Sequence, residues 1–169
     1  IEYNWAGGQA GHAIVLTPRN QDGGAPWSTV RQIRITNNVI RHVAGVLSVL
    51  GTDYRFPSQP LNGIVFTNNL VIDLSRANWG GAAQLLLTSG GDQLTFDRNT
   101  VFTDGTSVVY ADGAQVTGFV FTNNIIPDNS WAVMGAGAGE GTNTLNAFYP
   151  GATFQRNAIV GGQSNLYPG

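Results

Sequence analysis

One eight-residue pattern recurs five times along this chain and constrains its fold more than any other feature. Each copy mixes apolar residues with polar or β-branched ones, with Ile or Phe three positions before an asparagine and Ile or Val two positions after it. The anchoring asparagines are Asn38, Asn69, Asn99, Asn124 and Asn157. Subtracting successive positions gives spacings of 31, 30, 25 and 33 residues. Period-2 alternation predicts short strands, and a repeat near this length predicts a solenoid.

Asparagine suits a sharp bend between two strands. It tolerates the left-handed backbone conformation, and in stacked repeats its side-chain amide can bond to the next asparagine along the axis. A third strand is predicted after each bend, at residues 13–17, 46–50, 84–88, 107–111 and 131–135. The sequence therefore predicts an all-β solenoid of about five coils, each with three short strands, and an asparagine ladder along one bend.

The chain resembles a known fold in the order of its elements, which are a strand, the paired polar residues ending in the anchor, a second strand and a Gly-containing turn. It is the right-handed parallel β-helix of secreted bacterial proteins, the pectate-lyase-like superfamily. The resemblance covers essentially residues 1–169, which we interpret as one β-helix domain. It implies poly- or oligosaccharide partners and a secreted or cell-surface location in bacteria. It implies no single chemistry, because the superfamily includes lyases, hydrolases, epimerases and non-catalytic binders.

Composition excludes several classes of protein. The chain has no Cys, so a disulfide scaffold is excluded. The formal net charge of −2 and the absence of basic clusters argue against nucleic acid. No apolar run reaches 18 residues, so no membrane span is predicted. The Asp residues are scattered, so the sequence predicts no metal ligand and no cofactor, and Ca²⁺ would follow from the family resemblance alone.

The repeat pattern is interrupted at both ends of the chain. Ile1 aligns with Ile40, which lies in the strand directly after the anchor Asn38. At the other end, residues 165–169 fall in the turn region of the fifth coil. We expect the chain to be a portion of a longer solenoid. Because unpaired strand edges invite pairing, open coil ends would allow self-association.

The third strands suggest a second surface for self-association. If Leu47 and Val49 point inward, Val46 and Leu50 belong to an unusually apolar outward face. The same phase would direct Ala13 and Val15 inward. It would place His12, Ile14, Leu16 and Ser48 on the outward face with them.

Three long connections, at 17–32, 51–62 and 135–151, follow third strands, and loops on a rigid scaffold commonly carry sites. Asp22 and Asp53 lie in consecutive loops, where they would suit a catalytic carboxylate pair about 5 to 10 Å apart. Arg19 and Arg55, from the same two loops, would neutralise a uronate, and Arg55 would also serve as a base. Equally, both Asp residues suit Asx turns.

A second catalytic candidate combines His42 and Asp73, which each follow an anchor by four residues, one coil apart. A carboxylate beside an imidazole can orient it as a general acid or base. A hydrogen bond that fixes the bend is the alternative interpretation.

Aromatic and polar residues of the connections are candidate substrate-binding residues, because aromatic rings stack on the apolar faces of sugars. The candidates are Arg19, Trp27, Tyr54, Glu140 and Trp131. Trp131, like Trp5 and Trp79, precedes a third strand and would equally cover the end of the core.

Three functions therefore stay open. A polysaccharide lyase or glycoside hydrolase would need the acidic and basic candidates, Glu140 included, to converge on one groove on the long-loop side. A non-catalytic carbohydrate-binding or adhesion solenoid would show exposed aromatic residues with the carboxylates separated. A structural segment would self-associate through its apolar face or open ends.

Overall fold

The computed structural model describes Ile1 and residues 11–168, so Trp5 lies outside the described residues. The described strands form three β-sheets, in which every pairing is parallel except that of the last two strands of one sheet. The prediction of an all-β solenoid with mostly parallel sheets is confirmed. No helix among the described residues is long and apolar enough to cross a membrane.

The strands are numbered in chain order and fall into three sheets. Sheet I contains the strands before the anchors: β2 (Arg31–Thr36), β5 (Asn62–Thr67), β8 (Gly91–Asp97), β11 (Val116–Thr117), β12 (Val120–Thr122) and β16 (Thr153–Gln155). Sheet II contains the strands after the anchors: β3 (Val39–Val43), β6 (Leu70–Leu74), β9 (Thr100–Thr103), β13 (Ile125–Pro127) and β17 (Ala158–Val160).

Sheet III contains the third strands and one additional short strand. They are β1 (His12–Leu16), β4 (Gly45–Leu50), β7 (Gln84–Ser89), β10 (Ser107–Ala111), β14 (Trp131–Gly135) and the antiparallel β15 (Gly139–Glu140). These bounds differ from the predicted ones by one residue at most. The connection 135–151 was expected to be a loop, but it contains β15 and the helix α2 (Thr142–Phe148), while α1 (Arg76–Trp79) follows β6.

Hydrogen bonds between anchors join the repeats at the bend between sheets I and II. The backbone N–H of Asn69 donates to Oδ1 of Asn99 at 3.0 Å, and that of Asn99 donates to Oδ1 of Asn124 at 2.9 Å. The side-chain amide of Asn99 also donates to the carbonyl of Phe66 in the preceding repeat. Asn69, Asn99 and Asn124 are buried, so these bonds form away from water.

The residue before each anchor has the left-handed backbone conformation, which was predicted for the anchor itself. These residues are Asn37, Asn68, Arg98, Asn123 and Arg156, with φ between 53° and 60°. The left-handed residue turns the chain, and the anchor that follows directs its amide toward the neighbouring repeats. Arg is present at two of these positions, so no asparagine side chain is required there.

The parallel register stacks equivalent apolar residues of sheet I directly on one another. Phe66 pairs with Phe96, which pairs with Phe121, and Phe121 pairs with Phe154. Their ring centroids are 5.5, 6.0 and 5.3 Å apart. Tyr167 extends this column, with its ring centroid 6.1 Å from that of Phe154. The core is thus a column of stacked aromatic rings flanked by aliphatic columns.

The predicted outward face of the third strands is wrong in two places. In β1, Ile14 pairs with Leu47 and Leu16 with Val49, so these two residues, expected outside, pack against the core. Val15, expected inside, pairs with Ser48 and lies on the outer face, 62% exposed. Val46, expected outside, is fully buried beside Leu47. Strict alternation, on which the prediction depended, does not hold at the start of β4.

Exposed apolar side chains concentrate instead on the outer face of sheet II. They are Val39, Leu70, Phe102, Ile125 and Val160. At the beginning of the chain, the amino group of Ile1 donates to the carbonyl of Val39 at 2.8 Å, and the N–H of Arg41 donates to the carbonyl of Ile1. Ile1 therefore lies beside Ile40, as the alignment of the repeats predicts.

Phe96→Ala should lower the free energy of unfolding by about 3 to 5 kcal/mol, because it removes a fully buried ring from the centre of the column. Phe102→Ala, which truncates a ring that is 58% exposed on sheet II, is the matched control. Urea unfolding followed by circular dichroism measures both variants. A loss below about 1 kcal/mol for Phe96→Ala would contradict the stacked core.

Candidate functional site

The two long connections at 17–30 and 51–61, here called the paired loops, pack against each other. The N–H of Gln59 donates to the carbonyl of Ser28 at 3.0 Å, and the side-chain amide of Asn20 donates to the carbonyl of Pro57 at 2.8 Å. Thr29 Oγ1 donates to the carbonyl of Pro60. These contacts fix the backbone of both loops as one unit on the solenoid.

Asp53 lies at the centre of the paired loops and is only 4% exposed. Its Oδ1 accepts hydrogen bonds from the backbone N–H groups of Arg55, at 2.9 Å, and Phe56, at 3.3 Å. Its Oδ2 accepts from the N–H of Asn20 at 3.0 Å and lies 3.5 Å from Nε of Arg19. Both carboxylate oxygens are therefore engaged in joining the loops.

These contacts favour the ionised form of Asp53. The backbone hydrogen bond from Arg55 is the largest cause of a lowered pKa, and the bonds from Asn20 and Phe56 and the charge of Arg19 act in the same direction. Desolvation of the carboxyl opposes them without reversing the shift. A carboxyl with a lowered pKa and both oxygens occupied is a poor general acid, and its bond to the N–H two residues on is an Asx turn.

Asp22, the predicted partner of Asp53 in a catalytic carboxylate pair, belongs to the first of the paired loops. It is exposed, in a left-handed conformation with φ 54° within the short 3₁₀ turn Gln21–Gly23. The structure therefore shows Asp53 as a structural residue of the loops and Asp22 as a surface residue of a turn.

The outer surface of the paired loops is rich in aromatic rings and guanidinium groups. Trp27 is 71% exposed and Tyr54 is 79% exposed. The Arg55 guanidinium lies 5.5 Å from the ring centroid of Phe56, and the Arg19 side chain is half exposed while it pairs with Asp53. Four of the sequence-predicted residues, Arg19, Trp27, Tyr54 and Arg55, thus belong to one loop unit.

His42 and Asp73 lie opposite each other on β3 and β6. The neighbouring pairs Arg41 with Ile72 and Val43 with Leu74 set this register. Nε2 of His42 is 3.5 Å from Oδ2 of Asp73, and both side chains are about one-third exposed. Both residues have a left-handed backbone, with φ 59° and 49°, so each interrupts the regular strand.

Trp79 completes a cluster with these two residues that sequence reasoning missed. Its indole Nε1–H donates to Oδ2 of Asp73 at 3.1 Å, and its ring centroid lies 5.1 Å from that of His42. Asn78 donates to the other oxygen of Asp73. The helix α1 positions both residues, and Ser75 begins this helix by accepting a hydrogen bond from the N–H of Asn78. The sequence signal for this cluster is an Asp near the end of a strand, followed by a short Trp-containing segment.

Glu140 belongs to a different region of the solenoid. The hydroxyl of Tyr167 is 3.3 Å from Oε1 of Glu140 and 3.0 Å from Oδ1 of Asp128, and it accepts a hydrogen bond from the N–H of Ala132. Burial is the main cause of a raised pKa for Tyr167, so its hydroxyl stays protonated. This contact holds residues 163–168 against the last strands, with Tyr167 covering Phe154.

The sequence-predicted candidates therefore do not converge on one groove. Glu140 follows β14, three strand spacings, or about 14 Å, along sheet III from the strand that precedes Asp53. Trp131 begins β14, whereas the paired loops follow the ends of their strands. No group of three His, Asp or Glu residues within the described part of the chain could hold a metal ion.

Comparison with known proteins identified no relative of this chain. No family model matches the sequence, and neither a curated protein nor a solved structure matches it significantly.

Asp53→Asn should destabilise the protein at neutral pH and have much less effect in acid. The lowered pKa means that ionised Asp53 stabilises the fold above its usual pKa of 3.8, and this contribution is lost as the pH falls from 3.8 through the lower pKa of the folded state. Urea midpoints at about pH 7 and about pH 2 measure the difference.

Asp22→Asn is the control for this experiment, because it removes an exposed carboxylate from the same loop unit. It should leave the midpoint unchanged at both pH values. A deficit of Asp53→Asn that has the same size at both pH values would show that the ionised carboxylate does not join the loops.

Proposed function

We propose that the chain is a right-handed parallel β-helix of about five coils, of the pectate-lyase-like type, that binds saccharides without cleaving them. The fold proposal is supported by three sheets that each contain five successive parallel strands and by the hydrogen bonds between anchors. A secreted or cell-surface location remains part of this proposal.

One observation carries the binding function: Trp27 and Tyr54 are largely exposed on loops whose backbone is held by Asp53 and Asn20. Exposed indole and phenol rings lose apolar hydration when they stack on a sugar face, and fixed loops lose little conformational freedom on binding. Arg55 presents a guanidinium group to acidic substituents on the same unit, whereas the charge of Arg19 is offset by Asp53. Both oxygens of Asp53 are engaged within the loops, and Glu140 lies elsewhere on the solenoid, which favours binding over cleavage.

Trp27→Ala and Tyr54→Ala should each weaken saccharide binding by about tenfold or more, because truncated aromatic residues dominate such contacts. Affinity electrophoresis in gels that contain neutral or uronate polysaccharides measures the change. Phe102→Ala removes a ring that is 58% exposed on sheet II and should retain binding. Equal retardation of all three variants and the original protein would overturn the proposed site.

A second candidate function, acid–base cleavage of a saccharide, is favoured by His42 and Asp73. Trp79 bonds to Asp73 and packs beside His42, so both functional groups are held near each other on a partly exposed surface. In this mechanism Asp73 orients the imidazole, which exchanges a proton with the substrate. Trp79 would also present an apolar ring to a sugar.

His42→Ala should abolish any release of reducing or unsaturated ends while it leaves binding to the paired loops intact. His12→Ala is the matched control, because His12 is the other histidine of the chain. Chromatography of digested polyuronates and neutral glycans measures both products. The catalytic candidate is rejected if the original protein releases no products, or if His42→Ala retains full activity.

A further inference from the structure

A cavity of about 440 Å³ lies on the outer face of sheet I, and its lining includes no catalytic candidate discussed above. It is lined by Gln32, Arg34, Gly63 and Val65. Gln32 lies two residues after the first of the paired loops ends, and Asn62, where β5 begins, donates its N–H to the carbonyl of Val30. The cavity, here called the Gly63 notch, thus begins at the base of the paired loops.

The notch exists because one column of sheet I alternates between glutamine and glycine. Gln32, Gly63, Gln93 and Gly118 occupy equivalent positions in successive repeats, since Arg31, Asn62, Asp92 and Thr117 pair directly before them. All four have left-handed backbones, with φ between 54° and 76°. Gly63 has no side chain, so a gap opens between Gln32 and Gln93, which lie two strand spacings, or about 9.6 Å, apart.

The walls of the notch carry positive charge and amide groups. Arg34 lines it directly, Arg31 is exposed on the same strand, and no hydrogen bond or ion pair engages either guanidinium among the described residues. The nearby Asp92 accepts hydrogen bonds from Asn62 and Thr117, one on each carboxylate oxygen. Val65 supplies a half-buried apolar surface.

We propose that the Gly63 notch binds one sugar residue that carries an acid group, either a carboxylate or a sulfate ester. Arg34 pairs with the acid group, because its planar guanidinium matches the oxygens of such groups. The Gln32 amide bonds to ring hydroxyls, and Val65 contacts the C–H face of the ring. The saccharide class rests on the proposed function, whereas the preference for an acid group rests on the notch itself.

Gly63→Gln tests this site by filling the notch. The column already holds Gln at φ 57° and 54°, and a Cβ at Gly63 would make only an ordinary contact, 3.4 Å from the Gln32 nitrogen. Gly118→Gln is the matched control: it places the same residue in the same column, beside Gln93 and away from the notch. Thermal melts by circular dichroism verify that both variants are folded.

Calorimetric titrations use a galacturonate trisaccharide, a sulfated galactose disaccharide, a neutral galactose trisaccharide and inorganic sulfate as probes. Binding of at least one acidic saccharide should weaken about tenfold or more in Gly63→Gln and in Arg34→Gln. It should be unchanged in Gly118→Gln and in Arg76→Gln, which removes an exposed guanidinium elsewhere. In ¹H–¹⁵N spectra, the resonances of Gln32 and Val65 should shift on binding.

Three results would overturn the notch. They are equal binding of neutral and acidic probes, equal losses in Gly63→Gln and Gly118→Gln, or binding of inorganic sulfate as tight as that of the saccharides. The proposed role of the paired loops is tested separately. It is rejected if Trp27→Ala and Tyr54→Ala still bind neutral glycans.

Discussion

The hydrogen bonds between the anchoring asparagines are the interaction on which the rest of the structure depends. The side chain of each buried anchor satisfies a backbone N–H and a backbone carbonyl of the preceding repeat, at the point where the chain turns from sheet I to sheet II. A buried polar group left unpaired at this bend would cost about 1 to 3 kcal/mol. The bonds thereby fix the register of the repeats, and the register stacks Phe66, Phe96 and Phe121 in the core.

A scaffold held in this way tolerates long connections, and the paired loops show how such connections become rigid. Asp53 joins them through bonds to Arg55, Phe56 and Asn20, and this role occupies both its oxygens. The same contacts leave Trp27 and Tyr54 at the surface. Asp53, a residue type that suits catalysis, therefore has a structural role here. The binding proposal depends instead on the exposed rings of Trp27 and Tyr54.

Sequence reasoning was most accurate where a residue's role depends on its own repeat. The strand at residues 131–135 has the predicted bounds, and Ile1 lies beside Ile40 as the repeat alignment requires. It was wrong about Val46, because residues 43–47 are all buried there and alternation cannot show this. It also missed Trp79, whose contact with Asp73 depends on the path of a short helix.

The sequence by itself determined the solenoid architecture, because every repeat carries its own strand pattern and its own anchor, and each stacks on a copy of itself. Only the tertiary structure decided which polar groups are available for chemistry. Asn20 lies 33 residues from Asp53, and contacts over such distances decide whether a carboxylate is occupied or exposed. The Gly63 notch likewise requires Gln32 and Gln93 to lie in one column, and parallel pairing alone brings them there.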